Sequence, residues 1–260
     1  MARLSLAYDD RGAGSAVVLV HGHPFDRTLW APQLESLGRR FRVVAPDLRG
    51  YGESPATPGT VTMRQLATDV EALLDDLGID SAAVVGLSMG GLVAMELALA
   101  EPRRVWALGL VATTAQPVTE EERRQRLAAA ETLETVGMEP VVDTMRKRLF
   151  GPACPPEVID RVVEMMRSSN PHGAAAALRG RAERPDYRPG LAKLELPAFV
   201  CTGSHDTWST EEVTRELVGC LRDPVTLLLS EVGHLPNLER PDEFDRELLR
   251  FLSTADESRG

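Results

Sequence analysis

The most constraining stretch of this sequence is residues 82–100. Ala82-Ala83-Val84-Val85 is a short apolar run, Gly86-Leu87-Ser88-Met89-Gly90-Gly91 follows, and residues 92–100 are good helix formers. The pattern predicts a buried strand, a sharp turn carrying Ser88, and a helix. So tight a turn closes only if its neighbours are small, which Gly86 and Gly90 satisfy. The helix then aims its first N–H groups, that of Met89 among them, at any negative charge forming beside Ser88. The stretch approaches membrane-spanning length, but Glu96 and three glycines interrupt it, so a strand and a helix account for it better than a span.

The same alternation extends along the chain. Residues 4–8 alternate like a half-buried strand, and Gly12-Ala13-Gly14 turns into the continuous apolar run 16–20, as expected of a strand buried on both faces of a parallel sheet. A short helix over 28–37, a strand over 41–45, a helix over 61–77 and a strand over 105–111 continue the βα rhythm. Residues 119–188 break it. They read as helices alone, punctuated by Pro155, Pro156 and Pro171, and predict a helical cap inserted between a core of residues 1–118 and 189–260. The strand pattern resumes over 194–203 and again over 225–229, with a helix over 213–221 between them. An amphipathic helix over 244–252 closes the chain before a tail expected to fray.

Composition bears mainly on partners. With 29 basic and 39 acidic residues the net charge is −10, which repels nucleic acid and anionic membrane surfaces, so neither is expected as a partner. The amino terminus turns acidic at Asp9-Asp10 before a signal-peptide core can form, and a cytoplasmic location is expected. Cys154, Cys201 and Cys220 lack metal-ligand spacing and read as small apolar fillers.

A serine hydroxyl needs a base to take its proton, and the base needs an orienting carboxylate. Of five histidines, His234 lies just beyond the last strand in Gly233-His234-Leu235-Pro236; His205 reads as a bystander beside Asp206. Asp206 follows the 199–202 strand through Gly203-Ser204-His205 and reaches the same sheet edge, whereas no carboxylate follows the 105–111 strand. The order Ser88, Asp206, His234 is therefore a nucleophile, acid and base in workable sequence. A second oxyanion donor is expected from the loop after 16–20. Pro24 has no N–H, so the backbone amide of His23 or Phe25 must supply it, with His23 favoured and Met89 as its partner. Asp26 and Asp47 read as turn and cap residues. No phosphate-binding Gly-x-Gly-x-x-Gly, metal-ligand cluster or flavin or nicotinamide signal is found, and no cofactor is expected.

His21-Gly22-His23-Pro24, residues 47–54, Gly86-Leu87-Ser88-Met89-Gly90-Gly91 and residues 233–241 together resemble the α/β-hydrolase superfamily. Within it the chain is similar to the bacterial group of 3-oxoadipate enol-lactonases and cofactor-free haloperoxidase-like esterases. The resemblance implies an α/β fold with a mostly parallel eight-stranded sheet flanked by helices, a helical cap, and hydrolysis of a small-molecule carboxylic ester or lactone through an acyl-enzyme. Serine at position 88 separates the chain from haloalkane dehalogenase and epoxide hydrolase relatives, which need a carboxylate there. Carbon–carbon hydrolysis and perhydrolysis use the same site, and some members of the fold only bind small molecules, so these alternatives stand beside the esterase reading.

Overall fold

The computed structural model describes residues 4–259. Seven strands, β1 (Tyr8–Arg11), β2 (Ala16–Val20), β3 (Arg42–Pro46), β4 (Ala82–Leu87), β5 (Val105–Val111), β6 (Ala198–Gly203) and β7 (Val225–Leu229), form one sheet in the order β1-β3-β2-β4-β5-β6-β7. All neighbours are parallel except β1, which runs antiparallel to β3.

The α/β sheet is as expected, but it has seven strands among the described residues instead of eight. Residues 4–7 do not join a ladder. Ala7 is tied instead by its N–H to Ser54 Oγ at 2.9 Å and by its carbonyl, which accepts the Asp47 N–H at 2.8 Å. Only Tyr8–Arg11 pairs, as a fully exposed edge strand on which Asp10 meets Arg42 at 2.8 Å. At the other end of the insertion, the sheet resumes at Ala198, not at residue 194, because Leu194 closes a turn on Leu191.

The chain order of the strands fixes where the helices lie. The parallel connection from β2 to β3 steps one way across the sheet and those from β3 to β4 and from β4 to β5 step the other, so right-handed crossovers put α1 (Ala31–Leu37) on one face and α2 (Met63–Asp76) and α3 (Met89–Ala100) on the opposite face. Between β5 and β6 come α4 (Glu120–Thr135), α5 (Glu139–Leu149), α6 (Pro156–Ser168), α7 (Pro171–Arg181) and the short α8 (Arg188–Leu191), with no strand among them. Next come α9 (Glu211–Gly219), α10 (Pro236–Glu239) and α11 (Pro241–Glu257), and α11 packs on α1. This last helix continues through the residues expected to fray, because Phe251, Leu252 and Ala255 are buried and Arg259 stacks on Trp106 at 4.8 Å. β2, β4, β5 and β6 are buried along their whole length, which is what continuous apolar runs require. Among the described residues no helix is long and apolar enough to cross a membrane; residues 82–100 divide into β4 and α3.

Candidate active site

Ser88 sits between β4 and α3 with φ 55° and ψ −112°, a strained conformation for a residue with a side chain, costing on the order of 1–3 kcal/mol. Its backbone is held on both sides. The Ser88 N–H donates to Val111 O at 2.8 Å, and its carbonyl accepts the Thr113 hydroxyl at 2.8 Å and the Gly91 N–H at 3.0 Å. The small neighbours are obligatory: a Cβ on Gly86 would lie 2.1 Å from Gly90 O, and one on Gly90 would lie 2.1 Å from Val20 O.

The β2 loop comes up beside this turn, with a Cβ on Gly22 standing 3.2 Å from Ser88 Cβ. The two candidate amides of this loop differ. The Phe25 N–H is committed to Gly22 O at 3.0 Å, whereas the amides of His23 and Met89 have no acceptor among the described residues. Two free donors thus flank the serine turn, one from the loop and one from the first turn of α3.

The imidazoles in this loop are structural. His21 Nε2 accepts the Leu48 N–H at 2.9 Å, which requires the other nitrogen to carry the proton and donate to Gly22 O at 2.8 Å. Burial lowers the pKa of both His21 and His23, and the charges of Arg181 and Arg126 push His23 further down. The His23 ring is hydrogen-bonded through Nδ1 to the Tyr51 hydroxyl at 2.8 Å, and that hydroxyl also lies 3.9 Å from Met89 Sδ. Asp47 accepts the N–H groups of Arg27 at 2.7 Å and Glu53 at 2.9 Å, and Asp26 caps the 3₁₀ turn Arg27–Trp30, so both are the turn and cap residues expected.

Asp206 and His234, 28 residues apart in sequence, meet at 2.7 Å between Oδ2 and Nδ1, both buried. The other Asp206 oxygen accepts the N–H groups of Trp208 at 2.8 Å and Ser209 at 3.1 Å. Burial alone would raise the Asp206 pKa, but His234 and these two amides outweigh it and hold the carboxyl below the usual range. Asp206 is therefore an ionised acceptor that fixes His234 with Nδ1–H toward it and Nε2 outward. Among the described residues Ser88 Oγ and His234 Nε2 make no hydrogen bond to each other. His205 lies on the surface, 3.4 Å from Glu231.

Two residues at the site had no strong sequence signal. Trp208 packs its ring edge-on to His234 with centroids 4.9 Å apart and carries Arg148 of α5 over its face at 4.7 Å. Glu239, only 3% exposed, accepts the N–H groups of Gly151 at 2.8 Å, Leu235 at 3.1 Å and Gly233 at 3.0 Å, and so clamps both sides of His234. The His234 N–H itself donates to Leu149 O at 2.7 Å. A glutamate one turn beyond a loop histidine was the one available hint. The thiols stay outside this chemistry: burial pushes Cys154 up to about 12 and raises buried Cys201 further.

The model of the alpha/beta hydrolase family matches residues 17–247, and the chain belongs to that family. Among curated relatives it is similar to 3-oxoadipate enol-lactonase 2 of Acinetobacter baylyi, 31% identical over 221 residues covering 84% of this chain and 81% of that protein. Among solved structures, a thermophilic esterase from Thermogutta terrifontis is 36% identical with a TM-score of 0.95, covering 97% of this chain and 94% of that one. The enol-lactonase from Burkholderia xenovorans LB400 is 30% identical with a TM-score of 0.88, covering 96% and 97% respectively.

Proposed function

We propose that this protein is a serine hydrolase that cleaves a small carboxylic ester or lactone through an acyl-enzyme. The observation that carries the reading is the buried Asp206–His234 pair at 2.7 Å on the same sheet edge as a strained Ser88 flanked by two uncommitted amides. His234 Nε2 takes the Ser88 proton as Oγ attacks the carbonyl carbon. Asp206 stabilises the imidazolium that results, and the amides of His23 and Met89 bind the oxyanion. Collapse of the tetrahedral intermediate breaks the carbon–oxygen bond, with His234 returning the proton to the leaving oxygen. A water then attacks the acyl-Ser88 with His234 as base, and the acid leaves; from a lactone the product is the open hydroxy acid. The names of the relatives, esterases and enol-lactonases, agree with this bond type.

Residues 119–188 act in this reading as the cap that covers the site and sets substrate size. Supporting this, Met165, Ser168 and Ser169 of the insertion meet Phe25 and Asp26 of the β2 loop and Gly52 of the β3 loop around a cavity of about 200 Å³. Purified protein should release para-nitrophenol from para-nitrophenyl acetate with an initial burst, and mass spectrometry should find one acetyl group on Ser88. Hydrolysis without any label on Ser88 would overturn the acyl-enzyme.

A further inference from the structure

The loop that carries the acid also carries a ring that reaches the base. Two residues beyond Asp206 comes Trp208, whose N–H donates to Asp206 Oδ1 at 2.8 Å, while Asp206 Oδ2 and His234 Nδ1 lie 2.7 Å apart. The Trp208 side chain folds onto the imidazole, with the ring centroids 4.9 Å apart and the ring planes at 67°. Trp208 thus touches both partners of the buried pair, the carboxylate through its backbone and the imidazole through its ring. The last torsion of a histidine side chain is soft, so one hydrogen bond through Nδ1 leaves the ring free to swing; a bulky ring packed against it at this angle removes the swing.

The indole itself is placed from the insertion. Trp208 is half-buried, and its indole N–H makes no hydrogen bond among the described residues, so no polar contact of the side chain sets its angle. Arg148, in the last turn of α5, lays its guanidinium carbon 4.7 Å from the centre of the Trp208 ring. Its Nε donates to Thr207 Oγ1 at 3.2 Å and its Nη2 to Thr207 O at 3.5 Å, which anchors the fork on the residue between the acid and the tryptophan. Arg148 and Thr207 are exposed, whereas Asp206 and His234 are buried. Guanidinium, indole and imidazole therefore form three layers running from solvent to the buried pair.

We infer that Trp208 is a positioning residue of the proposed hydrolysis and that Arg148 acts through it. Trp208 holds the imidazole in the orientation that keeps Nδ1 on Asp206 and leaves Nε2 free. It also keeps water off the Asp206–His234 bond, so that the imidazolium formed at each proton transfer meets its carboxylate in a dry setting. Arg148 fixes the indole by its face and by Thr207. The effect on turnover rests on the serine-hydrolase reading, whereas the hold on His234 does not.

Two measurements test this: kinetics on para-nitrophenyl butanoate, and the tautomer of His234 in resting protein, read from ring nitrogen-15 resonances at a pH where the ring is neutral and assigned with His234→Gln. Trp208→Ala should lower kcat by about ten- to a hundredfold with KM within about twofold, the scale set by a small misplacement of a reacting group. The same variant should turn the single Nδ1–H tautomer of the wild type into a mixture, because the partner of one ring nitrogen decides which nitrogen is protonated. Trp208→Phe keeps a flat ring against the imidazole and should restore most of kcat and the single tautomer. Arg148→Met should cost about two- to fivefold in kcat, and adding it to Trp208→Ala should cost nothing more. In an active protein, a Trp208→Ala kcat within twofold of wild type, a rise in KM alone or an unchanged tautomer state overturns the positioning role, and additive losses in the double variant overturn the part given to Arg148. A protein inert toward every ester in which Trp208→Ala still mixes the tautomers keeps the hold on His234 and sinks the serine-hydrolase reading; acylation of Ser88 at an undiminished rate in Trp208→Ala does the reverse.

Discussion

Around the serine turn a single added carbon on Gly86 or Gly90 would lie 2.1 Å from a backbone oxygen; in the insertion, Gly173 and Gly180, which face the core, are as tight at 2.0 and 1.8 Å, whereas Gly137 between α4 and α5, at φ +101°, has nothing within 4 Å of the same position. The contrast extends to polar groups. The Ser88 N–H and C=O, both Asp206 oxygens and the Glu239 carboxylate have partners, whereas Arg126, Arg181 and Arg184 keep buried nitrogens without them. One region is over-determined, and strain such as that at Ser88 persists only where the surroundings enforce it. The other is packed by apolar residues, Leu149, Val162 and Met166 among them. In the proposed reading, chemistry rests on the first region and substrate selectivity on the second, and variants in each should separate the two.

The largest effect that would test this division is at the nucleophile. Ser88→Ala removes one oxygen from a turn whose backbone bonds remain, so turnover should fall by about a millionfold with the melting temperature nearly unchanged. A variant retaining a tenth of the wild-type rate would dissolve the assignment of the serine turn. Asp206→Asn should cost about four orders of magnitude in kcat, because the amide favours the wrong imidazole tautomer. Normal turnover there would redirect the search for the acid to Asp47 or Glu231.

Glu239→Ala probes where the two regions join. It strips the acceptor from three amides of which two flank His234, and should destabilise the fold by about 1–3 kcal/mol per buried group left unpaired. Urea unfolding measures that loss. A drop in kcat larger than the change in KM marks displacement of His234, and equal effects on both would reduce Glu239 to a structural tie.

Selectivity should respond at α6. Met165→Ala enlarges the cavity of about 200 Å³ and should shift the ratio of kcat/KM between long and short acyl esters by roughly 1–3 kcal/mol, the usual worth of a methylene or two in an apolar pocket. Uniform loss on every chain length would place the residue in packing alone.

The smallest effect is in the acid stability of the body. His21 and His23 are buried and neutral, with pKa values lowered from 6.5 by desolvation, so below about pH 6.5 the unfolded chain binds protons that the folded one does not. Stability is therefore complete above that pH and falls as the pH drops toward the lowered folded values, by about 1.4 kcal/mol per pH unit for each histidine. Urea midpoints measured from about pH 7.5 to 5.5 should decline accordingly, and His21→Asn should flatten part of the slope. An identical slope in that variant would show that His21 does not carry it.

Much of this was legible in the sequence because it is local. Gly86, Ser88 and Gly90 announce the turn by their sizes, and His234 and Asp206 announce themselves by standing at the ends of recognisable strands. The alternative between His23 and Phe25 was not legible, since it depends on the Phe25 N–H turning back to Gly22 O. Glu239 and Arg184 were hidden for a related reason. A glutamate on a short helix and an arginine in a charged insertion look like solvated surface until tertiary packing buries them, as it does Glu239 and Arg184. The first strand lies at Tyr8–Arg11 and not over residues 4–8, because Ala7 is tied to Ser54 and Asp47 and not to a ladder; the eight strands that the resemblance implied are seven among the described residues.

The backbone bonds that reach from α5 into the C-terminal loops carry a consequence for modularity. Leu149 O receives the His234 N–H, the Gly151 N–H goes to Glu239, and Arg148 donates to Thr207 at 3.2 Å beside the acid. Residues 148–151 are thus spliced into the scaffold of the base and the acid, although they belong to the inserted segment by sequence. A graft that replaces the whole insertion to change substrate range would sever the splice, leaving the buried His234 N–H without its acceptor and Glu239 with only the Gly233 and Leu235 amides. A graft whose joints fall before Arg148 or after Gly151 keeps it. The interchangeable part of this protein is shorter than the stretch that interrupts its sheet.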